Sequence, residues 1–147
     1  VMDQDSPSNR LKQKGYMDGM KKNGVSGEGL FLYDAPESSV KGGYDITMQI
    51  LKEYPDMEGI IYSIDLIAAG GVRAVCDLGI RIPEQIGLIG VDNTIYGEIS
   101  DPKLTTLDNK TEEMSEFAAE ILWEGLKGRR QSRKMMLFSE IVEREST

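Results

Sequence analysis

Ile86-Gly87-Leu88-Ile89-Gly90-Val91-Asp92-Asn93, followed by Asp101-Pro102-Lys103-Leu104-Thr105-Thr106, decides how the rest of the chain is read. Gly87 to Val91 carries no charge and reads as a strand buried on both faces. It ends on a carboxylate, Asp92, and a loop. The Pro-Lys-Leu-Thr-Thr segment then leads the chain elsewhere. In open α/β sheets ligands bind outside the carboxyl ends of strands, so an acidic side chain delivered there suits a small polar molecule.

Outward from this strand, the chain alternates. Gly59-Ile60-Ile61-Tyr62-Ser63 is a second buried strand, followed at once by Asp65 and a helical run to Leu78 that Gly79 closes. Asp65 reads as the cap of that helix, its carboxylate taking orphan backbone N–H groups. Arg81-Ile82-Pro83-Glu84-Gln85 is a turn. Upstream, Asn9 is placed to cap a helix through Leu11, Tyr16, Met17 and Met20, ended near Gly24. Leu30-Phe31-Leu32-Tyr33 reads as a short strand. A polar loop then leads into a helix around Ile46, Met48, Ile50 and Leu51, which stops before Pro55.

Downstream, Thr111 with Glu113 and Met114 opens a helix through Phe117, Ala118, Ile121 and Leu122 to Leu126. The basic Lys127-Gly128-Arg129-Arg130 end complements the dipole at its C-terminus. Met135-Met136-Leu137-Phe138 and Ile141-Val142 suggest a last strand. Strands alternating with helices imply right-handed crossovers and a largely parallel sheet flanked by helices, an α/β fold.

Composition narrows the function. At 147 residues the chain buries one core, and 17 Lys plus Arg against 25 Asp plus Glu leave a net charge of −8. That field repels phosphate backbones and anionic membranes, so the chain by itself is a poor nucleic-acid binder. No apolar run approaches a membrane span. Val1-Met2-Asp3-Gln4-Asp5 shows neither the start of a signal peptide nor an initiator Met, so an upstream portion is expected. The single Cys76 excludes an internal disulfide and favours a reducing, cytoplasmic compartment.

Histidine is absent, which removes the commonest metal ligand and the commonest general base together. Lys41-Gly42-Gly43 lacks the phosphate-loop spacing, and Ser63 and Ser146 have no base partner. The eight Met residues suit core filling better than a copper site. Binding without chemistry is the expectation, with no enzyme activity, no metal and no cofactor. A small α/β enzyme using Asp65 and Asp92 is the disfavoured reading, and turnover depending on Asp92 would revive it.

Taken in order, several pieces resemble the effector-binding core of the lac repressor/galactose repressor family, which shares its fold with periplasmic sugar-binding proteins. Arg10 through Gly15-Tyr16 is similar to the family's Arg-rich helix start before a Gly-aromatic pair. Gly43-Tyr44 with Leu51 resembles the next helix. Asp65-Leu66-Ile67-Ala68-Ala69-Gly70 is similar to its Asp-x-x-Ala-x-Gly turn, and Gly79 through Ile86 to its Gly-x-x-Ile-Pro connector. Gly90-Val91-Asp92-Asn93, Pro102-x-Leu104-Thr105-Thr106 and the closing Leu137 through Arg144-Glu145-Ser146-Thr147 complete the set.

The resemblance implies an incomplete type I periplasmic-binding-protein-like fold. Residues 1–103 would be most of the second lobe, 104–134 a crossing strand and helix belonging to the first, and 135–147 the returning strand and tail. It implies a small-molecule effector, a sugar by analogy, bound between lobes whose closure alters a homodimer. DNA would be contacted only through an N-terminal helix-turn-helix that this stretch lacks. The alternative is a periplasmic sugar-binding protein feeding a transporter. The Thr111 helix would lack its sheet, leaving Phe117, Ile121, Leu122 and Trp123 to seek a partner, with dimers formed by exchange of the segment after Pro102.

The resemblance also implies site residues. Asp92, by itself either a ligand acceptor or a turn Asp, becomes the leading ligand contact, since a carboxylate accepts from vicinal hydroxyls or ring N–H groups. Lys12 stands where the family places its effector-contacting Arg, with Arg10 two residues earlier; either binds ligand or forms a solvated face with Lys14. Ile64 stands where sugar-responsive members often carry Asn, pointing to a less polar ligand face. Asp65 beside it is a further candidate. Tyr33 falls where an aromatic stacks on ligand, and reads as core or as platform.

Overall fold

A computed structural model describes residues 1–2, 6–25, 30–129 and 134–147. The elements run α1 (Pro7–Lys22), α2 (Val40–Glu53), β1 (Gly59–Ile61), α3 (Asp65–Asp77), β2 (Gly87–Val91), α4 (Ile95–Ile99), β3 (Thr105–Asp108), α5 (Thr111–Leu126) and β4 (Glu140–Val142). The sheet has four strands in the order β1-β2-β3-β4. β1, β2 and β3 are parallel, with Ile61 beside Ile89 and Gly90 beside Thr106. β4 returns antiparallel, with Leu107 beside Ile141. The expected α/β architecture is present.

The core forms where α2 and α3 cover one sheet face. Ile60, Tyr62, Ile86 and Leu88 meet Ile46, Ile50, Ile67, Val72 and Val75, all buried. The two helices approach backbone to backbone because glycines face the contact. A Cβ on Gly43 would sit 1.9 Å from the Ile67 carbonyl oxygen, and one on Gly70 would sit 2.0 Å from that of Val40. Two polar groups carried deep into this layer are bonded: the Tyr62 and Thr47 hydroxyls lie 2.8 Å apart, and Thr47 donates to the Gly43 carbonyl. Burial pushes the Tyr62 phenol's pKa well up.

Helix α3 ends as its glycine predicts. Gly79 takes φ +69, its N–H bonds the Cys76 carbonyl and the Ile80 N–H bonds that of Val75, the paired bonds of a Schellman stop. The C-terminal tail is stitched in at the base of the sheet. Ser146 is fully buried between the starts of β2 and β3: its carbonyl takes the Leu88 N–H, its hydroxyl donates to the Leu88 carbonyl, and the Thr105 N–H donates to that hydroxyl.

Several local expectations are corrected. Ser6, not Asn9, caps α1: its hydroxyl accepts from the Asn9 N–H at 3.1 Å, and Asn9 itself is buried. Among the described residues, Leu30 to Tyr33 form no strand, and a single parallel bridge joins Met2 to Asp34. A strand needs a ladder, and β-propensity without paired neighbours does not make one. Met135 to Phe138 likewise stay outside the sheet, with Phe138 92% exposed, and β4 starts at Glu140. The loop after Asp92 contains α4. At the end of α5, Lys127 and Arg129 pair with Glu124, and Arg130 lies outside the described residues.

Helix α5 buries no residue, and Leu122, Trp123 and Leu126 are 66%, 60% and 74% exposed. Phe117 is half-buried, and the Lys127 ammonium lies 5.0 Å from the centre of the Trp123 ring.

Candidate ligand-binding rim

The sheet presents its parallel strand ends along one rim, and three loops meet there. β1 ends at Ile61 and leads into Ser63 and Ile64, β2 ends at Val91 just before Asp92, and β3 ends at Asp108 just before Asn109. Asp92 and Asn93 adopt positive φ values, 102° and 49°, which non-glycine residues rarely take. Such conformations persist only where the surroundings hold them. Here the Asp92 N–H bonds the Leu107 carbonyl at 2.8 Å, and Asn109 Nδ2 donates to Asp92 Oδ1 at 2.8 Å. The Asn93 N–H reaches Thr106 Oγ1 at 3.3 Å.

Asp65 is the hub of this arrangement. It is the first residue of α3, fully buried, and it makes no cap bond to its own helix, contrary to the reading from sequence. Its carboxylate turns across the sheet instead. Oδ2 accepts from the Thr94 N–H at 2.7 Å and the Thr94 hydroxyl at 3.1 Å, and Oδ1 accepts from Thr106 Oγ1 at 2.6 Å. Gly90 makes the room, since a Cβ there would meet Asp65 Oδ1 at 2.2 Å. The motif glycine and the motif aspartate are thus one packing unit.

Asp92 is half-buried and lines a polar crevice of about 290 Å³ with Asn93, Asp108, Lys110, Thr111, Glu112 and Glu113. On its far wall the Lys110 ammonium pairs with Glu140 and with Asp108. The Lys110 backbone N–H, and then its charge, hold the Asp108 carboxyl below its ordinary range. Glu140 in turn raises the Lys110 ammonium's pKa.

A second cavity, of about 360 Å³ and largely apolar, lies on the opposite sheet face from the core. Its floor is Gly59, Ile61, Ile89 and Val91, the alternate residues of β1 and β2, and one wall is α1 with Lys12, Gln13, Tyr16 and Met20. Lys12 Nζ donates to the Ser63 carbonyl at 2.7 Å, so this ammonium sits at the end of β1. Tyr33 lines the same cavity and donates its hydroxyl to Glu53 Oε2 at 2.6 Å. That bond lowers the Glu53 pKa and raises that of Tyr33.

Of the residues singled out from sequence, Lys12 and Tyr33 share the apolar cavity, while Asp92 opens on the polar crevice. Val91 and Asp92 are where the two adjoin along the chain. Ile64 is half-buried against the core, and Arg10 is exposed on α1. Sequence reasoning missed Thr94, Thr106, Asn109 and Arg144, the residues that hold the rim. Thr106 and Arg144 did lie inside recognised motifs. Nothing local shows that positions 65, 94 and 106 converge.

The chain belongs to the periplasmic binding protein-like domain family, whose pattern it matches over residues 1–147. Within it the relatives are helix-turn-helix transcriptional regulators, in keeping with the lac repressor/galactose repressor resemblance. An uncharacterised regulator of this type from Bacillus subtilis (strain 168), YvdE, is 31% identical over 99% of this chain and 45% of its own length. The regulator GntR of Escherichia coli (strain K12) is 26% identical over 86% of this chain and 38% of its own.

Among solved structures, a regulator of the lac repressor family from Arthrobacter sp. FB24, in complex with lactose, superposes with TM-score 0.85 at 29% identity, over 99% of this chain and 56% of that one. The regulator CelR in complex with cellobiose superposes at 0.86 with 20% identity, over 100% of this chain and 46% of that one, a likeness of fold. The chain spans about half the length, or less, of the relatives it matches.

Proposed function

We propose that this chain is the second-lobe part of the effector-binding domain of a cytoplasmic transcriptional regulator, and that it binds a small hydroxylated molecule of the sugar class at the Asp92 rim. The observation that supports this best is the Asp92 carboxylate, set on strained backbone at the end of β2 and facing a crevice. Strain kept at a strand end is a mark of a functional position. Lys12 and Tyr33 contribute from the β1 side, and Ile64 gives that side an apolar surface. Asp65, with its oxygens committed to Thr94 and Thr106, positions the rim rather than touching the ligand. Arg10 remains a candidate contact from α1.

Residues 1–103 act as one lobe, 104–134 cross to the other and 135–147 return. The effector works only through its different affinity for open and closed lobes, and that difference biases the geometry of a homodimer. DNA is contacted by a helix-turn-helix elsewhere in the whole protein, since −8 is the wrong sign for it here. No helix among the described residues is long and apolar enough to cross a membrane. The relatives described above are named as regulators and favour this reading over a transporter's periplasmic component. No bond is broken and no cofactor is needed.

Calorimetric titration with cellobiose and lactose, the sugars of the two solved relatives, tests the reading. Asp92→Ala is expected to weaken any binding at least about tenfold, the loss of a charge-assisted hydrogen bond or more. Unchanged affinity in Asp92→Ala would remove Asp92 from the site.

A further inference from the structure

Arg144 lies two residues before the buried Ser146, on the tail that is stitched into the base of the sheet. Its own N–H donates to Thr105 Oγ1 at 2.9 Å, which fixes where the side chain starts. From there the guanidinium reaches the rim. Nη1 donates to the Leu104 carbonyl at 2.8 Å, and Nη2 donates to Asn93 Oδ1 at 2.7 Å. The space is kept by Gly97 of α4, where a Cβ would sit 3.1 Å from Arg144 Nη1.

We propose that Arg144 is a positioning residue for the ligand rim: its fork, closed on Leu104 and Asn93, holds the Asp92–Asn93 turn in the left-handed conformation that presents the Asp92 carboxylate. The role rests on the reading of Asp92 as a ligand contact, but the conformational claim stands apart from it. Two successive non-glycine residues at positive φ are strained and persist only where neighbours over-determine them. The Asn93 N–H makes a long 3.3 Å bond to Thr106 Oγ1, and the side-chain amide also bonds Asp108. The Asn93 side chain has the short charge-assisted one. Releasing that amide lets Asn93 relax towards negative φ and loosens Asp92 against its own bonds to Leu107 and Asn109. A lysine carries the charge but offers no planar fork to span two separated carbonyl oxygens. Arg144 is therefore part of the binding apparatus, 51 residues in sequence from the loop it holds.

The test measures backbone scalar couplings and amide shifts of Asp92 and Asn93 in the full chain without ligand. Arg144→Gln is expected to move both residues off their positive-φ couplings, with Arg144→Lys intermediate. Ser146→Ala, which loosens the same tail without touching the turn, is expected to lower stability and leave those couplings native. Native couplings in a folded Arg144→Gln chain would overturn the proposal; if that variant does not fold, native couplings in Arg144→Lys would do so. So would equal displacement by Ser146→Ala.

The second arm titrates cellobiose and lactose. If either binds, Arg144→Gln is expected to weaken it about tenfold, and Ser146→Ala to leave it near native. Native affinity in a folded Arg144→Gln chain whose turn has moved would overturn the functional part. If Asp92→Asn binds as the native chain does, the ligand reading fails, and the couplings still decide the role of Arg144.

Discussion

Asp65 Oδ1 accepts a hydrogen bond from Thr106 Oγ1 at 2.6 Å, joining the first turn of α3 to the third strand of the sheet from inside the protein. With the Thr94 bonds on its other oxygen, this fully buried carboxylate locks three consecutive strand ends at fixed spacing.

Asp65→Ala is therefore expected to be among the costliest single changes. It strands the Thr94 N–H and two hydroxyls in a dry site, a loss of roughly 3–5 kcal/mol. Asp65→Asn keeps one acceptor and should lose less. Urea denaturation measures both, and an Asp65→Ala cost below about 1 kcal/mol would contradict the hub assignment.

The glycines separate into two kinds, and alanine scanning should show it. Gly43→Ala forces α2 off α3, because the added methyl would lie 1.9 Å from the Ile67 carbonyl oxygen; a loss of about 2 kcal/mol or more is expected. Gly15→Ala meets nothing within 4 Å on the exposed helix α1 and should raise stability by about 0.5–1 kcal/mol. Thermal or chemical denaturation distinguishes opposite signs directly.

Acid sensitivity should trace in part to Asp108. Its pKa is lowered in the folded state, chiefly by the Lys110 backbone N–H, so its contribution is present above the ordinary carboxylate value near 3.8 and is lost as pH falls through the depressed folded value. Lys110 has the opposite sign: its pKa is raised above 10.5 by Glu140, so that contribution holds below 10.5 and disappears as pH rises through the folded value. Asp108→Asn is expected to flatten the melting temperature between about pH 5 and about pH 2. An unchanged acid limb in Asp108→Asn would show the shift to be energetically silent.

Helix α5 should drive association of the isolated chain. Its described residues include none that is buried, and Leu122, Trp123 and Leu126 present a contiguous apolar side. Sedimentation is expected to show a concentration-dependent dimer that Leu122→Glu with Leu126→Glu shifts towards monomer. A native chain that stays monomeric at high concentration would rule out association through this face.

Much of this was legible along the chain. The alternation around Gly59, Asp65, Gly87 and Asp92, with Gly79 between, dictates strand, helix, stop and strand, because buried parallel strands and capped helices have local signatures. The failures share one cause. Leu30 to Tyr33 and Met135 to Phe138 have strand composition, but a strand exists only through its neighbour, and the neighbour is not written in the segment. Asp65 at a helix start looks like a cap from sequence alone, because competition from Thr94 and Thr106 is invisible at that range.

The alternation of β1, α3 and β2, the absence of histidine and a carboxylate following β2 were settled by residue type and spacing, since each depends on neighbours a few positions away. The direction in which Asp65 turns, the left-handed backbone of Asp92 and the reach of Arg144 to Asn93 were settled only by folding. Those features come from side chains bonded across 17 to 51 residues of sequence and converging on one rim, where hydrogen-bond geometry, and not local preference, selects the conformation.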